Sequence, residues 1–83
     1  MRLKKMFELL NIEENLEGEE LFEVLKKKFQ AYAESGLLYC RGDKVAHLWS
    51  PFRFGVEFSS LPQEWKRELE EIVASAWKNK SAS

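Results

Sequence analysis

Leu37-Leu38-Tyr39-Cys40-Arg41-Gly42-Asp43-Lys44-Val45-Ala46-His47-Leu48-Trp49-Ser50-Pro51-Phe52-Arg53-Phe54-Gly55-Val56-Glu57-Phe58 is the stretch on which the fold turns. Gly42-Asp43 lies between two short apolar runs, a two-residue hairpin signal. That turn sets Cys40 opposite Val45 and Leu38 opposite His47. The run from Phe52 to Phe58 alternates apolar residues with Arg53, Gly55 and Glu57. Its period of two predicts a third strand, with Phe52, Phe54, Val56 and Phe58 on one face. Ser50-Pro51 then turns the chain between the second and third strands.

The flanks read as helices. Leu3, Met6, Phe7 and Leu10 place one apolar stripe on a short helix over residues 2–10. Residues 11–16 are a connector, with Asn15 as N-cap of the next helix. From about Glu17 to Ser35, Leu21, Phe22, Leu25, Phe29, Tyr32 and Ala33 recur at three and four. Glu17, Glu19 and Glu20 crowd the first turn, where the helix dipole favours anions, and Gly36 stands where a left-handed closing residue is expected. Ser60 and Gln63 fit a capping box with Pro62 in the first turn. Trp65, Leu69, Ile72, Val73, Ala76 and Trp77 then form the last stripe, with Lys78 and Lys80 near its end. The expected order is α-α-β-β-β-α, an α+β fold. A small three-stranded antiparallel sheet packs against helices around one core. Residues 1–80 form a single domain and residues 81–83 fray.

The chain has 83 residues, thirteen Lys plus Arg against fourteen Asp plus Glu, and a formal charge of −1. A chain of this mass buries roughly 64% of its unfolded surface, enough for one small core and little room for an enclosed active site. The longest unbroken apolar run, Leu37–Cys40, cannot span a membrane. Met1-Arg2-Leu3-Lys4-Lys5 is basic but is not followed by a signal-peptide apolar stretch. Cys40 is the only cysteine. It cannot form an internal disulfide, which points to a reduced, cytoplasmic setting. The Lys- and Glu-rich surface, poor in Asn and Gln, is a composition favoured in thermophiles.

Few residues could carry chemistry. Cys40 and His47 share one hairpin face as diagonal neighbours, but nothing nearby supplies an orienting group or an oxyanion hole. They read better as a small core residue and a strand residue. A zinc site needs three or four converging ligands, which one Cys and one His cannot supply. No calcium-loop spacing is present, and no cofactor is implied. Glu13-Glu14 and Glu70-Glu71 are adjacent in sequence and so point about 100° apart on a helix. Arg41-Gly42-Asp43 spells an adhesion tripeptide that the hairpin turn already explains.

Aromatics are the surplus. Residues 36–60 hold five of the eleven, and only five of the twenty-seven charged residues. Trp65 and Trp77 lie on a helical stripe and read as core. Both hairpin faces are apolar: Leu38, Cys40, Val45, His47 and Trp49 on one, Leu37, Tyr39, Ala46 and Leu48 on the other. A sheet covered on one side exposes such a face beside Arg41 and Arg53, which is interface chemistry.

The residues Leu25, Gly36, Leu38, Gly42-Asp43, Val45, Leu48, Ser50-Pro51, Leu61-Pro62-Gln63-Glu64, Leu69 and Ile72 resemble the pattern of TubC-type docking domains. These are small terminal modules on nonribosomal-peptide and polyketide synthetase subunits. The resemblance covers about two-thirds of the chain; the segment Phe52–Phe58 and the first helix lie outside the pattern. It implies a hairpin that receives a short linear peptide from a partner chain.

The expected function is a non-enzymatic protein-interaction module, of docking, adaptor or inhibitor type. It binds another protein or a short linear peptide through Tyr39, Arg41, Lys44, His47, Trp49 and Arg53, on the hairpin and beside the last helix. An inhibitor of viral or mobile-element origin is one form of it, and a homodimer is another use of the same patch. The alternative is a small nucleic-acid-binding regulator with Lys26, Lys27, Lys28, Arg41, Lys44 and Arg53 on phosphates. The balanced charge disfavours it.

Overall fold

The computed structural model describes residues 3–82, with side chains to residue 80. Its elements are α1 (Lys4–Leu10), α2 (Gly18–Glu34), β1 (Leu38–Arg41), β2 (Lys44–His47), α3 (Pro51–Ser59) and α4 (Gln63–Ala82). The order is therefore α-α-β-β-α-α, and the sheet has two strands rather than the expected three. Arg2 and Ser83, which the sequence assigns to the first helix and the frayed tail, lie outside the described residues.

The hairpin forms in the register its turn dictates. Leu38 pairs with His47, Tyr39 with Ala46, Cys40 with Val45 and Arg41 with Lys44. Leu48 N–H donates to Leu37 O at 2.8 Å, one step beyond the strands. Gly42 has φ +64°, and Asp43 keeps a negative φ. That is the pattern of a type II′ turn, where only the first turn residue enters the region that L side chains avoid.

The expected third strand over residues 52–58 is α3. On a helix, residues four apart share a face. Phe54 and Phe58 form the inner pair and are fully buried, whereas Phe52 and Val56 form the outer pair, 78% and 46% exposed. Four apolar residues at spacing two satisfy both periods over so short a run. Phe52, Phe54, Val56 and Phe58 therefore do not line one face. Ser50-Pro51 is a helix start rather than an inter-strand turn, with Pro51 in the first helical turn, where its missing N–H costs nothing. Phe54 N–H donates to Ser50 O at 3.0 Å.

Two expected caps also differ. Glu17, not Asn15, stands at the N-cap of α2, in extended conformation. The Ser60 hydroxyl donates to Glu57 O at 2.7 Å and so closes α3 instead of capping α4. Gly36 behaves as expected. At φ +86° it lets Leu37 N–H reach Tyr32 O (2.9 Å) and Gly36 N–H reach Ala33 O (3.1 Å), satisfying the last carbonyls of α2.

Helices α2 and α4 lie side by side and run in the same direction. Phe22 stacks on Trp65 near their starts, with centroids 4.6 Å apart. Trp77, near the far end of α4, donates its indole N–H to Leu38 O at 2.6 Å. Leu21, Leu25, Phe29 and Ala33 of α2 meet Leu69, Val73 and Ala76 of α4 in one buried cluster, which Leu38, Val45, Phe54 and Phe58 complete. Trp65 and Trp77 pack against this cluster half-buried. Met6, Phe7, Leu10 and Ile12 attach α1 to the same core.

Candidate functional site

The segment from β2 into α3 is the place where apolar side chains stay in water. Leu48, Trp49, Phe52 and Val56 are 55%, 73%, 78% and 46% exposed. Each follows from local geometry. Leu48 and Trp49 belong to the short connector between β2 and α3. Phe52 and Val56 are left outside because Phe54 and Phe58 take the inner face of the helix.

Two open hollows flank this corner. One, of about 360 Å³, lies between the hairpin and α3. Ala46 and Gly55 form its floor, Phe52 and Val56 one wall, and Arg41 and Lys44 the opposite rim with Asp43. Gly55 is buried, and a Cβ built there would meet the Lys44 stem at 3.8 Å, so the Lys44 side chain lies across it. The second hollow, of about 640 Å³, is lined by Leu9, Tyr32, Leu37 and Trp49, at the junction of α1, α2 and the connector.

The expected contact residues separate into groups. Arg41, Lys44, Trp49 and Arg53 are exposed and Tyr39 is half-buried. His47 is fully buried and out of a partner's reach. Its Nδ1 accepts the Trp49 N–H at 3.1 Å, which leaves Nε2 to carry the proton, and Nε2 has no hydrogen-bond partner. Its ring lies among Tyr32, Trp49 and Phe54. Burial pushes the His47 pKa below its ordinary value. The accessible hollow is beside α3; α4 covers β1, through the Trp77 bond to Leu38 and the Cys40 thiol resting 3.9 Å from Glu70 O.

Cys40 and His47 are not hydrogen-bonded to each other. Cys40 is exposed rather than the small core residue expected, and partial desolvation of its thiol, followed by the Glu70 charge, pushes its pKa up. A raised pKa keeps the thiol protonated and poorly nucleophilic. Among the described residues no group of three or more His, Cys, Asp or Glu side chains is placed to hold a metal ion.

The lysines of the alternative reading lie on α2, whereas Arg41 and Lys44 lie on the hairpin and Arg53 on α3. Lys26 is bound to Glu23 at 3.0 Å and lies over the Phe22 ring. The Glu23 hydrogen bond, with the Glu68 charge adding to it, raises its pKa. Lys27 is exposed and Lys28 half-buried on α2.

Sequence reasoning placed Trp49, Arg41, Lys44 and Arg53 outside but missed Phe52, Val56 and the role of Glu57. The available signal was Pro51 directly after Ser50, a helix start that turns Phe52 and Val56 into a second, outward stripe. Glu57 is 6% exposed, and its carboxylate accepts the main-chain N–H groups of Lys5 (3.1 Å) and Met6 (2.6 Å) in the first turn of α1.

No family model, curated protein or solved structure matches the chain. No helix among the described residues is long and apolar enough to cross a membrane.

Proposed function

We propose that this chain is a non-enzymatic protein-interaction module that docks a partner on the corner between the hairpin and α3. One observation carries the reading. The exposed large apolar side chains recorded among the described residues fall within residues 48–56. Single exposed apolar residues are ordinary, but a cluster that includes Trp and Phe is the composition of an interface centre. The hollow beside Phe52 and Val56 gives a partner side chain a place to sit. Arg41 and Lys44 contribute from the hairpin, in keeping with the peptide-receiving hairpin that the docking-domain resemblance implies, Trp49 from the connector and Arg53 from α3.

Capture from nuclease-treated source lysate tests this reading. Trp49→Asp and Phe52→Asp variants should keep the native circular dichroism spectrum, since both side chains are mostly in water, and should lose the proteins that the native chain retains. An unchanged set of captured proteins on the two variants overturns the proposal. So does capture that disappears with nuclease treatment alone, which would return Arg41, Lys44 and Arg53 to phosphate contacts.

A further inference from the structure

The hollow between β2 and α3 has a charge sign as well as a shape. Arg41 and Lys44 stand on its rim, and among the described residues neither has an ion-pair partner. Arg53 follows Phe52 in the chain but lies outside the hollow, its side chain 68% exposed and its Nε paired with Glu57 Oε2 at 3.5 Å. Glu57 is turned inward onto α1, where Lys5 and Met6 N–H use its carboxylate. The charged side chains that line the hollow are therefore Arg41 and Lys44 against Asp43 alone. The rest of the chain carries the opposite bias, with ten basic and twelve acidic residues outside 36–60.

We infer that this hollow receives an acidic amphipathic segment of a partner protein, with its apolar side chains against Ala46, Phe52 and Val56 and its carboxylates on Arg41 and Lys44. The inference rests on the docking function proposed above and names the partner's chemistry. An apolar floor with an unpaired cationic rim matches one face of an amphipathic helix or turn whose flanks are Glu and Asp. With the Lys44 stem across Gly55, the apolar contact for one Leu- or Phe-sized anchor comes from Ala46, Phe52 and Val56. A nucleic acid fits less well: two cations make a very short phosphate track, and Asp43 interrupts it.

Fluorescence anisotropy with three labelled synthetic peptides tests the inference. The peptides share Leu at positions i, i+3, i+4 and i+7 and carry Glu, Gln or Lys at the other positions; labelled oligo-dT is the fourth probe. The Glu peptide should bind about tenfold more tightly than the Lys peptide, because each exposed rim pair contributes a few-fold. Arg41→Glu with Lys44→Glu should invert that order, and added salt should narrow it. Both rim residues are exposed at the hairpin end, so the reversal leaves the core intact. Equal binding of all three peptides, abolished by Phe52→Ala, overturns the acidic partner while the docking surface stands. No binding by any peptide overturns the docking surface as well. Preferential binding of oligo-dT, lost on the same charge reversal, replaces the acidic segment by a nucleic acid.

Discussion

His47 carries no water-accessible surface and accepts a hydrogen bond only on Nδ1. Protonation would place an imidazolium among Tyr32, Trp49 and Phe54 and turn the acceptor of the Trp49 N–H into a donor. The folded state therefore holds this group below its ordinary pKa of 6.5, and the unfolded chain binds the proton first as pH falls. Stability is complete above about pH 6.5 and declines below it by at most about 1.4 kcal/mol per pH unit, until the folded pKa is reached. Thermal melts between pH 7.5 and 5 should show this fall in the native chain. His47→Gln keeps an acceptor for Trp49 N–H and does not titrate, so its melting temperature should be flat over the same range. Glu57 is the second residue whose burial has one stated reason. With seven residues, α1 is too short to hold its own first turn, and Leu3 at its N-cap offers no side-chain bond. The Glu57 carboxylate supplies it from 51 residues away. Glu57→Gln brings an amide donor against those N–H groups, and urea titration should register a loss of about 1.5–3 kcal/mol.

At the scale of the element, α3 marks where the sequence was legible and where it was not. The hairpin register was readable to the residue, because a two-residue turn with Gly42 at its first position admits one pairing. The stripes of α2 and α4 were readable because each repeats over more than three turns. Over Phe52–Phe58 there are too few residues to separate a period of two from a period of 3.6. Arg53, Gly55 and Glu57 fit the polar face of a strand as well as they fit a helix. What decides between them is tertiary: α1 needs a buried acceptor, which Glu57 can supply only from a helix packed against it, and His47 and Phe29 need Phe54 between them. The two structures make opposite predictions for a pair of substitutions. In a strand, Phe52 and Phe54 would share the buried face and cost alike. On α3, Phe54→Ala should destabilise by about 3–5 kcal/mol, and Phe52→Ala should change stability by less than about 0.5 kcal/mol. Chemical denaturation of the two variants reads this directly. The same ambiguity hid the site, since Phe52 and Val56 can reach a partner only when the run is helical.

At the scale of the molecule, every element contributes to one buried cluster: Met6 from α1, Phe29 from α2, Leu38 and Val45 from the hairpin, Phe58 from α3 and Leu69 from α4. The radius of gyration, 11.7 Å, is that of a single domain of this length, about 11.8 Å. Both ends of α4 are tied to other elements by tryptophan, Trp65 through its stack on Phe22 and Trp77 through its bond to Leu38 O. Twelve residues of helix separate the two indoles, a rise of about 18 Å, so they report on opposite ends of the core. If the core is one cooperative unit, neither end can loosen before the other. Each indole can be watched alone, Trp65 in a Trp49→Phe, Trp77→Phe chain and Trp77 in a Trp49→Phe, Trp65→Phe chain. Within each variant the fluorescence midpoint in urea should coincide with the far-ultraviolet circular dichroism midpoint, with a slope of about 1 kcal/mol per molar urea. An earlier Trp77 transition would mean that the hairpin detaches from α4 on its own. Coincident transitions would make the hairpin and α3, and the apolar corner between them, a surface fixed by the whole core.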